Sequence, residues 1–390
     1  MQRVLFICGN YDPYPSANGV CVLRLQEALH EKGILSDVVC ASEKGGMTKS
    51  KYGFIYHLQL PVIRNGFLRK SIRFFIWPLK DPRMVNTYRE MIQQAKREHE
   101  YSLLIGVLRP IEGLLACMDL GDFVIYECDS ITNNGENEFG LKHLLRRRVD
   151  NIEKQLYDKA KWIFHMACHS AYYSQNRYDK WREKSEIVDI PQLVDEGITD
   201  SSGNHYNVIQ ILYSGTLSKD TRSPEYAISV ILELSERMDK QIETNFYSKG
   251  NCEAMLEKAE SVSSGIIKRR GYVSLQQLDE AVGDTDFLLS IGNRLTGIVT
   301  SLPSKVISYM AYGKPIIHID GGENDIAKEY LEKYPLTVII NPHSNQMDNI
   351  NIVHEFIKKN LGKRVSFQDI KKSFPLNTPQ YTVERIMKLL

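Results

Sequence analysis

The chain alternates short, continuous apolar runs with longer stretches in which apolar residues recur every three or four positions. Runs of the first kind read as strands buried on both faces, and the longer stretches as helices laid over them, the pattern of parallel sheets covered by helices. Over the first half the runs are RVLFICG, SDVVCAS, SLLIGVL, DFVIYE and KWIFHMA. The rhythm pauses around EIVDIPQLVDEG, and the polar TDSSGNHYN that follows reads as a linker. A second series starts at VIQILYSG and continues through IETNFYS, GIIKRRG, DFLLSIG, KPIIHI and LTVII. Two doubly wound α/β domains are therefore expected, at 1–200 and 201–375. A closing helix is expected at 376–390, where Val383, Ile386 and Leu389 or Leu390 fall at helical spacing.

Composition agrees with two such cores: 390 residues, 43% hydrophobic and 25% charged, is ordinary globular protein. Forty-nine Lys and Arg stand against forty-eight Asp and Glu, a formal charge of +1. That balance argues against nucleic acid held by a global basic field, so any anion site has to be local. Seven cysteines without a C-x-x-C pair fit reduced thiols and a cytoplasmic chain better than a disulfide framework. The opening MQRVLFICGN is too short to span a bilayer and lacks a cleavage region. No run reaches the ~18 apolar residues of a membrane helix, so membrane contact is expected to be peripheral at most.

Four stretches carry candidate chemistry. In SLPSKVISYMAYGKPIIHIDGG, Pro303 suits the first turn of a helix and Gly313 its left-handed end. About three turns lie between them. Val306, Ile307 and Met310 form an apolar side, Ser304, Lys305 and Ser308 a polar one, and KPIIHI follows as a buried strand. In GNYDPYPSANGVCVLRLQEALHEKG, Gly19 stands at a loop-to-helix junction, where backbone N–H groups can approach a phosphate. The dinucleotide fingerprint G-x-G-x-x-G is absent. In ILYSGTLSKDTRSPEYAISVILEL, a strand is followed by a small-residue turn and a cationic loop. Ser214, Gly215 and Thr216 offer backbone donors and hydroxyls there, and Lys219 and Arg222 can reach a diphosphate. In KRRGYVSLQQLDEAVGDTDFLLSIGN, Gly271, Tyr272 and Val273 turn into a helix capped by Ser274, a place where a base can lie.

Taken in order, PSKVISYMAYGKPII, YSGTL, RGYVSLQQLDEA and DFLLSIG resemble the GT-B glycosyltransferases, the nucleotide-sugar-dependent enzymes of bacterial polysaccharide assembly. The resemblance covers nearly the whole chain. It implies two Rossmann-like doubly wound parallel-sheet domains facing a cleft, with a nucleotide sugar donor, commonly UDP-linked, held by the C-terminal domain. A saccharide or lipid-linked saccharide acceptor would be held by the N-terminal domain, and no metal or other cofactor is implied. On this resemblance Asn18 and Gly19 match the N-terminal glycine loop, with Asn18 in place of one of its usual two glycines. Thr216, Lys219 and Arg222 fall in the diphosphate loop, Tyr272 and Val273 in the base-binding turn, and Ser304 and Lys305 at the helix start that faces the phosphates.

The chain departs from the family at one place. Retaining members commonly carry two glutamates separated by seven residues, and here those positions are Thr300 and Ser308. A hydroxyl cannot accept two ribose hydrogen bonds as a carboxylate can. A non-catalytic nucleotide-sugar-binding or partner protein is therefore an alternative, as is a GT-B epimerase. Asp129, after the DFVIYE strand, is the candidate base for an acceptor hydroxyl, with Glu127 and Asp12 as alternatives. His165, Cys168 and His169 in HMACH approach metal-ligand spacing, but a strand sends alternate residues to opposite faces and no second ligand cluster is visible. Finally, Arg64, Arg69, Lys70, Arg73 and Lys80 are interleaved with Phe67, Phe74, Phe75, Ile76 and Trp77. Cations among aromatics suit an anionic membrane surface or a lipid diphosphate, whereas a core-packed helix with a basic edge is the plainer explanation.

Overall fold

The computed structural model describes residues 2–11, 16–59, 82–128, 141–195, 197, 207–294 and 302–390. Asp12, Asp129, Thr300 and the basic-aromatic residues 62–80 lie outside these. The chain forms two compact units, 1–192 together with 376–390, and 193–375.

Among the described residues the first unit is built on eight strands: β1 (Arg3–Asn10), β2 (Leu35–Ser42), β3 (Gly46–Lys49), β4 (Phe54–Gln59), β5 (Leu103–Leu108), β6 (Phe123–Glu127), β7 (Trp162–Met166) and β8 (Ser185–Val188). They lie in the order β3-β4-β2-β1-β5-β6-β7-β8. Every pairing is parallel except β3 with β4. The residues of β5 and β6 are buried throughout, which is why they read as unbroken apolar runs. The pattern misses β3, β4 and β8; β4 (FIYHLQ) is buried from Ile55 to Leu58, but the polar His57 breaks its apolar run. β3 (GMTK) is wholly exposed, and β8 (SEIV) buries only Val188, so neither carries a two-sided apolar run.

Asp37 ties the middle of this sheet together. It is fully buried, takes two hydrogen bonds from the Arg3 guanidinium at 2.8 and 2.7 Å, and accepts from the Phe54 N–H at 2.8 Å and the Tyr101 hydroxyl at 2.6 Å. Burial and the neighbouring carboxylate together hold the Tyr101 hydroxyl protonated. The closing helix Pro379–Met387 buries Val383 and Ile386 and packs on the helix Ala17–Glu31.

The second unit carries β9 (Val208–Leu217), β10 (Gln241–Gly250), β11 (Ile267–Arg269), β12 (Phe287–Ile291), β13 (Ile316–Ile319) and β14 (Thr337–Ile340), in the order β11-β10-β9-β12-β13-β14. All pairings are parallel. A separate core joins Ile211, Tyr213, Phe246, Phe287, Leu289 and Ile317. β9 lies between β10 and β12, so winding reverses across it, and open α/β sheets bind ligands beyond the carboxyl ends of strands at such a point. The ladder shows how the place opens. β9 stays in register with β10 from Val208 to Leu217, but pairs with β12 only at Ile211 and Leu212. Beyond Leu212 its second edge is released to other partners.

Candidate functional site: the carboxyl end of strand β9

The released edge of β9 is taken by the helix Lys305–Ala311. Ser214 donates its backbone N–H to the Tyr309 hydroxyl at 2.7 Å, and its own hydroxyl lies 3.1 Å from the same atom. Burial pushes the Tyr309 hydroxyl up to about 12, so it stays neutral. The Ser214 N–H, one of the donors expected to face a diphosphate, is thereby engaged by Tyr309. Nor do Ser214, Gly215 and Thr216 form a turn. They continue β9, opposite Tyr247, Ser248 and Lys249 of β10, and the loop starts only at Ser218. The turn signal came from Gly215, whose φ of +122° a side chain rarely adopts.

Lys305 lies over that glycine. A Cβ at Gly215 would stand 3.4 Å from Lys305 Cδ and 3.5 Å from Nζ. The ammonium donates to the Ser214 carbonyl at 3.0 Å and sits 3.7 Å from the centroid of the Tyr213 ring. The residue is half-buried, with its charged end on the covered side. Burial, and then the positive charge of Arg222, bring the Lys305 pKa well below the ordinary lysine value, with Asp325 opposing. Arg222 is held from two sides. Its guanidinium donates to Asn293 Oδ1 at 2.6 Å and to the Thr216 carbonyl at 3.4 Å. Its backbone pairs with Ser218 in both directions, closing a tight hairpin over 218–222. Arg222 Nε is buried without a hydrogen-bond partner among the described residues. Neither Arg222 nor Lys305 makes an ion pair among those residues, so two cations share this strand end without a bonded carboxylate.

The remaining candidates spread outward from that centre. Lys219 is exposed at the hairpin tip, its backbone N–H on Asn251 Oδ1 at 2.8 Å. Tyr272 is 53% exposed after Gly271, and Val273 beside it is half-buried. Lys249, which sequence reasoning did not select, links this turn to the centre: it pairs with Thr216 in the ladder and stands 4.0 Å over the Tyr272 ring. Ser274 caps the following helix in a reciprocal box with Gln277, as its spacing predicts. The opening stretch folds as expected in outline but more tightly. The helix has seven residues, Lys305–Ala311, preceded by a turn in which Val306 N–H meets the Pro303 carbonyl at 2.9 Å. Ser304 makes no capping bond, Ser308 is half-buried, and Val306, Ile307 and Met310 are buried. Gly313 ends the turn at φ +69°, where a Cβ would stand 2.4 Å from the Val365 carbonyl oxygen.

In the first unit, Asn18 Nδ2 donates to the Leu108 carbonyl at 2.8 Å, joining the helix Ala17–Glu31 to the end of β5. Gly19 is buried within that helix, and its N–H is taken by the Ser16 hydroxyl cap at 3.3 Å. Glu127 is fully buried and accepts from Tyr157 at 2.5 Å, with His165 Nδ1 at 2.9 Å. A carboxylate so enclosed is no base for an acceptor hydroxyl. His165 is thus engaged with Glu127.

Two parallel-sheet α/β units of this kind, the second with its switch point at β9 and β12, define the GT-B fold of the glycosyltransferases. The chain is similar over 100% of its length, and 97% of the other chain, to a glycosyltransferase from Rickettsia africae ESF-5, with 11% identity and a TM-score of 0.59. It is similar to WaaG, a glycosyltransferase involved in lipopolysaccharide biosynthesis, at 12% identity and a TM-score of 0.54, over 98% of this chain and 95% of the other. A trehalose-6-phosphate structure from E. coli bound with UDP-2-fluoro glucose superposes at 10% identity and a TM-score of 0.65, covering 99% and 98%. No protein-family model matches the sequence, and no curated protein sequence does.

Proposed function

We propose that the chain is a glycosyltransferase that moves a sugar from a nucleoside-diphosphate sugar, UDP-linked, to a saccharide or lipid-linked saccharide in surface polysaccharide assembly. The observation that carries the reading is the pair of cations, Lys305 and Arg222, brought together at the carboxyl end of β9 without a paired carboxylate. Positive charge with no bonded counter-ion in a partly desolvated place is costly unless an anion completes it, and the leaving group of sugar transfer is a diphosphate. Lys305 has two ammonium hydrogens left after its bond to Ser214, and they stabilise charge that grows on that diphosphate as the glycosidic bond breaks. Arg222, steadied by Asn293, supplies a second donor, and the exposed Lys219 at the hairpin tip a third. The base stacks on Tyr272, over which Lys249 already stands. Asn18 and Gly19 of the first unit serve the donor, as the glycine-loop match suggests, Asp129 is the base toward the acceptor hydroxyl, and residues 62–80 hold the enzyme against an anionic membrane.

Fold likeness to a structure that carries a UDP sugar supports the choice of donor. The test is a thermal-shift and calorimetric screen of UDP, GDP, ADP and dTDP with their sugars, without added metal. A nucleoside diphosphate at ~100 times its dissociation constant stabilises by ~2.7 kcal/mol, a rise easily read. If no diphosphate moves the transition, the donor site is wrong. Slow hydrolysis of the donor sugar without acceptor separates an enzyme from a binding protein of the same fold.

A further inference from the structure

A cavity of about 400 Å³ lies within the first unit, between the edge strand β8, the helix Leu141–Lys159 and the turns that follow β7. Small-molecule pockets run about 300–1,000 Å³, so it takes one or two sugar-sized rings. Its walls are aromatic: Tyr157, Tyr173, Tyr178 and Trp181. Three of these rings are tied back by their polar ends. Tyr157 donates to Glu127 at 2.5 Å, Tyr178 to Glu153 at 3.1 Å, and the Trp181 indole N–H to Asp158 at 2.8 Å. Tyr157 and Trp181 also meet edge to face, with centroids 5.3 Å apart. With their polar ends engaged elsewhere and their planes locked, these rings give the cavity carbon faces in fixed positions.

Two buried polar groups are left within reach, the Tyr173 hydroxyl, which has no hydrogen-bond partner among the described residues, and the His165 ring. His165 lines the cavity, is 5% exposed, and stacks on Tyr173 at 3.7 Å. Its Nδ1 is engaged by Glu127, whereas Nε2 has no hydrogen-bond partner among the described residues. Glu127 Oε1, behind it, is likewise buried without a partner. A histidine held by a carboxylate through one nitrogen presents the other in a defined orientation. The charges at the mouth cancel, with Arg182 on Asp179 at 2.5 Å and Glu186 on Arg385 at 2.7 Å. Ser170 is exposed there and contributes a hydroxyl.

We propose that this cavity binds a pyranose unit of a neutral saccharide. Flat apolar walls meet the C–H face of a sugar ring, the open His165 nitrogen and the mouth hydroxyl meet its hydroxyls, and the balanced charges favour neither cation nor anion. Assigning the saccharide to the acceptor side rests on the glycosyltransferase reading. The cavity chemistry itself does not depend on the cation pair at β9.

Saturation-transfer NMR of the full chain with methyl glucoside, galactoside, mannoside and N-acetylglucosaminide, and with choline and uridine as controls, tests it. At least one glycoside binds saturably in the millimolar range. Ser170→Trp, which plugs the mouth from an exposed position, and Tyr173→Ala each weaken that binding tenfold or more. The thermal shift given by UDP persists in both. The proposal is overturned if no glycoside binds the wild-type chain, if binding is unchanged in Ser170→Trp, or if only choline or uridine binds. Glycoside binding lost in the variants of a protein that UDP never stabilises would uphold this pocket and sink the donor site; a UDP shift without glycoside binding would do the reverse.

Discussion

Replacing Lys305 with methionine keeps the stem that lies over Gly215 and removes only the charge. Two favourable contacts go with it: a charge-assisted hydrogen bond to the Ser214 carbonyl, worth about 1.5–3 kcal/mol, and a cation–π contact with Tyr213, worth about 0.5–2 kcal/mol. Against these stands the cost of taking an ammonium out of water beside Arg222. The direction of the pKa decides between them. The fold pushes Lys305 toward its neutral form, so the contacts do not repay the burial, and the methionine variant melts no lower than wild type at neutral pH. Binding behaves oppositely. Loss of one charged donor to a phosphate removes about 1.5–3 kcal/mol, about 10- to 100-fold in the UDP dissociation constant. In turnover the loss is about 2–4 kcal/mol, because leaving-group charge grows in the transition state.

Titration calorimetry of UDP, paired with a melting curve, reads both effects. Unchanged UDP affinity in a stable Lys305→Met protein would refute the reasoning. The pH dependence supplies a second check. Because the folded pKa lies below the unfolded one, the unfolded chain carries the extra proton between the two values, and stability rises with pH across that window. Bound diphosphate restores the proton, so UDP binding takes up protons there and weakens as pH rises. Calorimetry in two buffers of different ionisation enthalpy shows the uptake in wild type and none in Lys305→Met.

Removing the Asn293 tether with Asn293→Ala frees the Arg222 guanidinium and weakens UDP binding by about 0.5–1.5 kcal/mol, with little change in melting, as calorimetry will show. Arg3→Met leaves Asp37 buried with only the Phe54 N–H and Tyr101 hydroxyl, and lowers urea stability by about 2–4 kcal/mol; a loss below about 1 kcal/mol would mean that those two donors suffice. Gly215→Ala forces a side chain to a φ of +122° and costs about 1–3 kcal/mol of stability, measured in the same titration. Charge reversal of Arg69, Lys70 and Arg73 to Glu reduces co-sedimentation with anionic liposomes, the difference shrinking as salt rises, and equal binding by both proteins would remove the membrane contact.

Much of the fold was legible in the chain because its information is local. Central strands such as LLIGVL and FLLSI are buried on both faces, and that condition writes itself as an unbroken apolar run of strand length. Gly313 and Ser274 announced a helix end and a helix start for equally local reasons, a backbone angle and a capping bond three residues away. Edge strands β3 and β8 left no such trace, since exposure on an edge makes no demand for continuous apolarity.

The site was legible only as a set of residue types. Sequence put Lys305, Arg222 and Gly215 on the page as chemistry suited to a diphosphate, and it established the order of the elements that carry them. Which donors remain available was decided elsewhere. Ser214 lost its N–H to Tyr309, ninety-five residues away, and Arg222 gained Asn293 across seventy-one. Lys249 reached Tyr272 from a neighbouring strand, and Glu127 was enclosed by Tyr157 and His165 instead of facing a substrate. Periodicity and capping depend on residues within a turn or two, so one sequence read alone determines them. A hydrogen bond between side chains far apart in the chain depends on where the sheet register and helix packing set their backbones, and only the folded chain decides that.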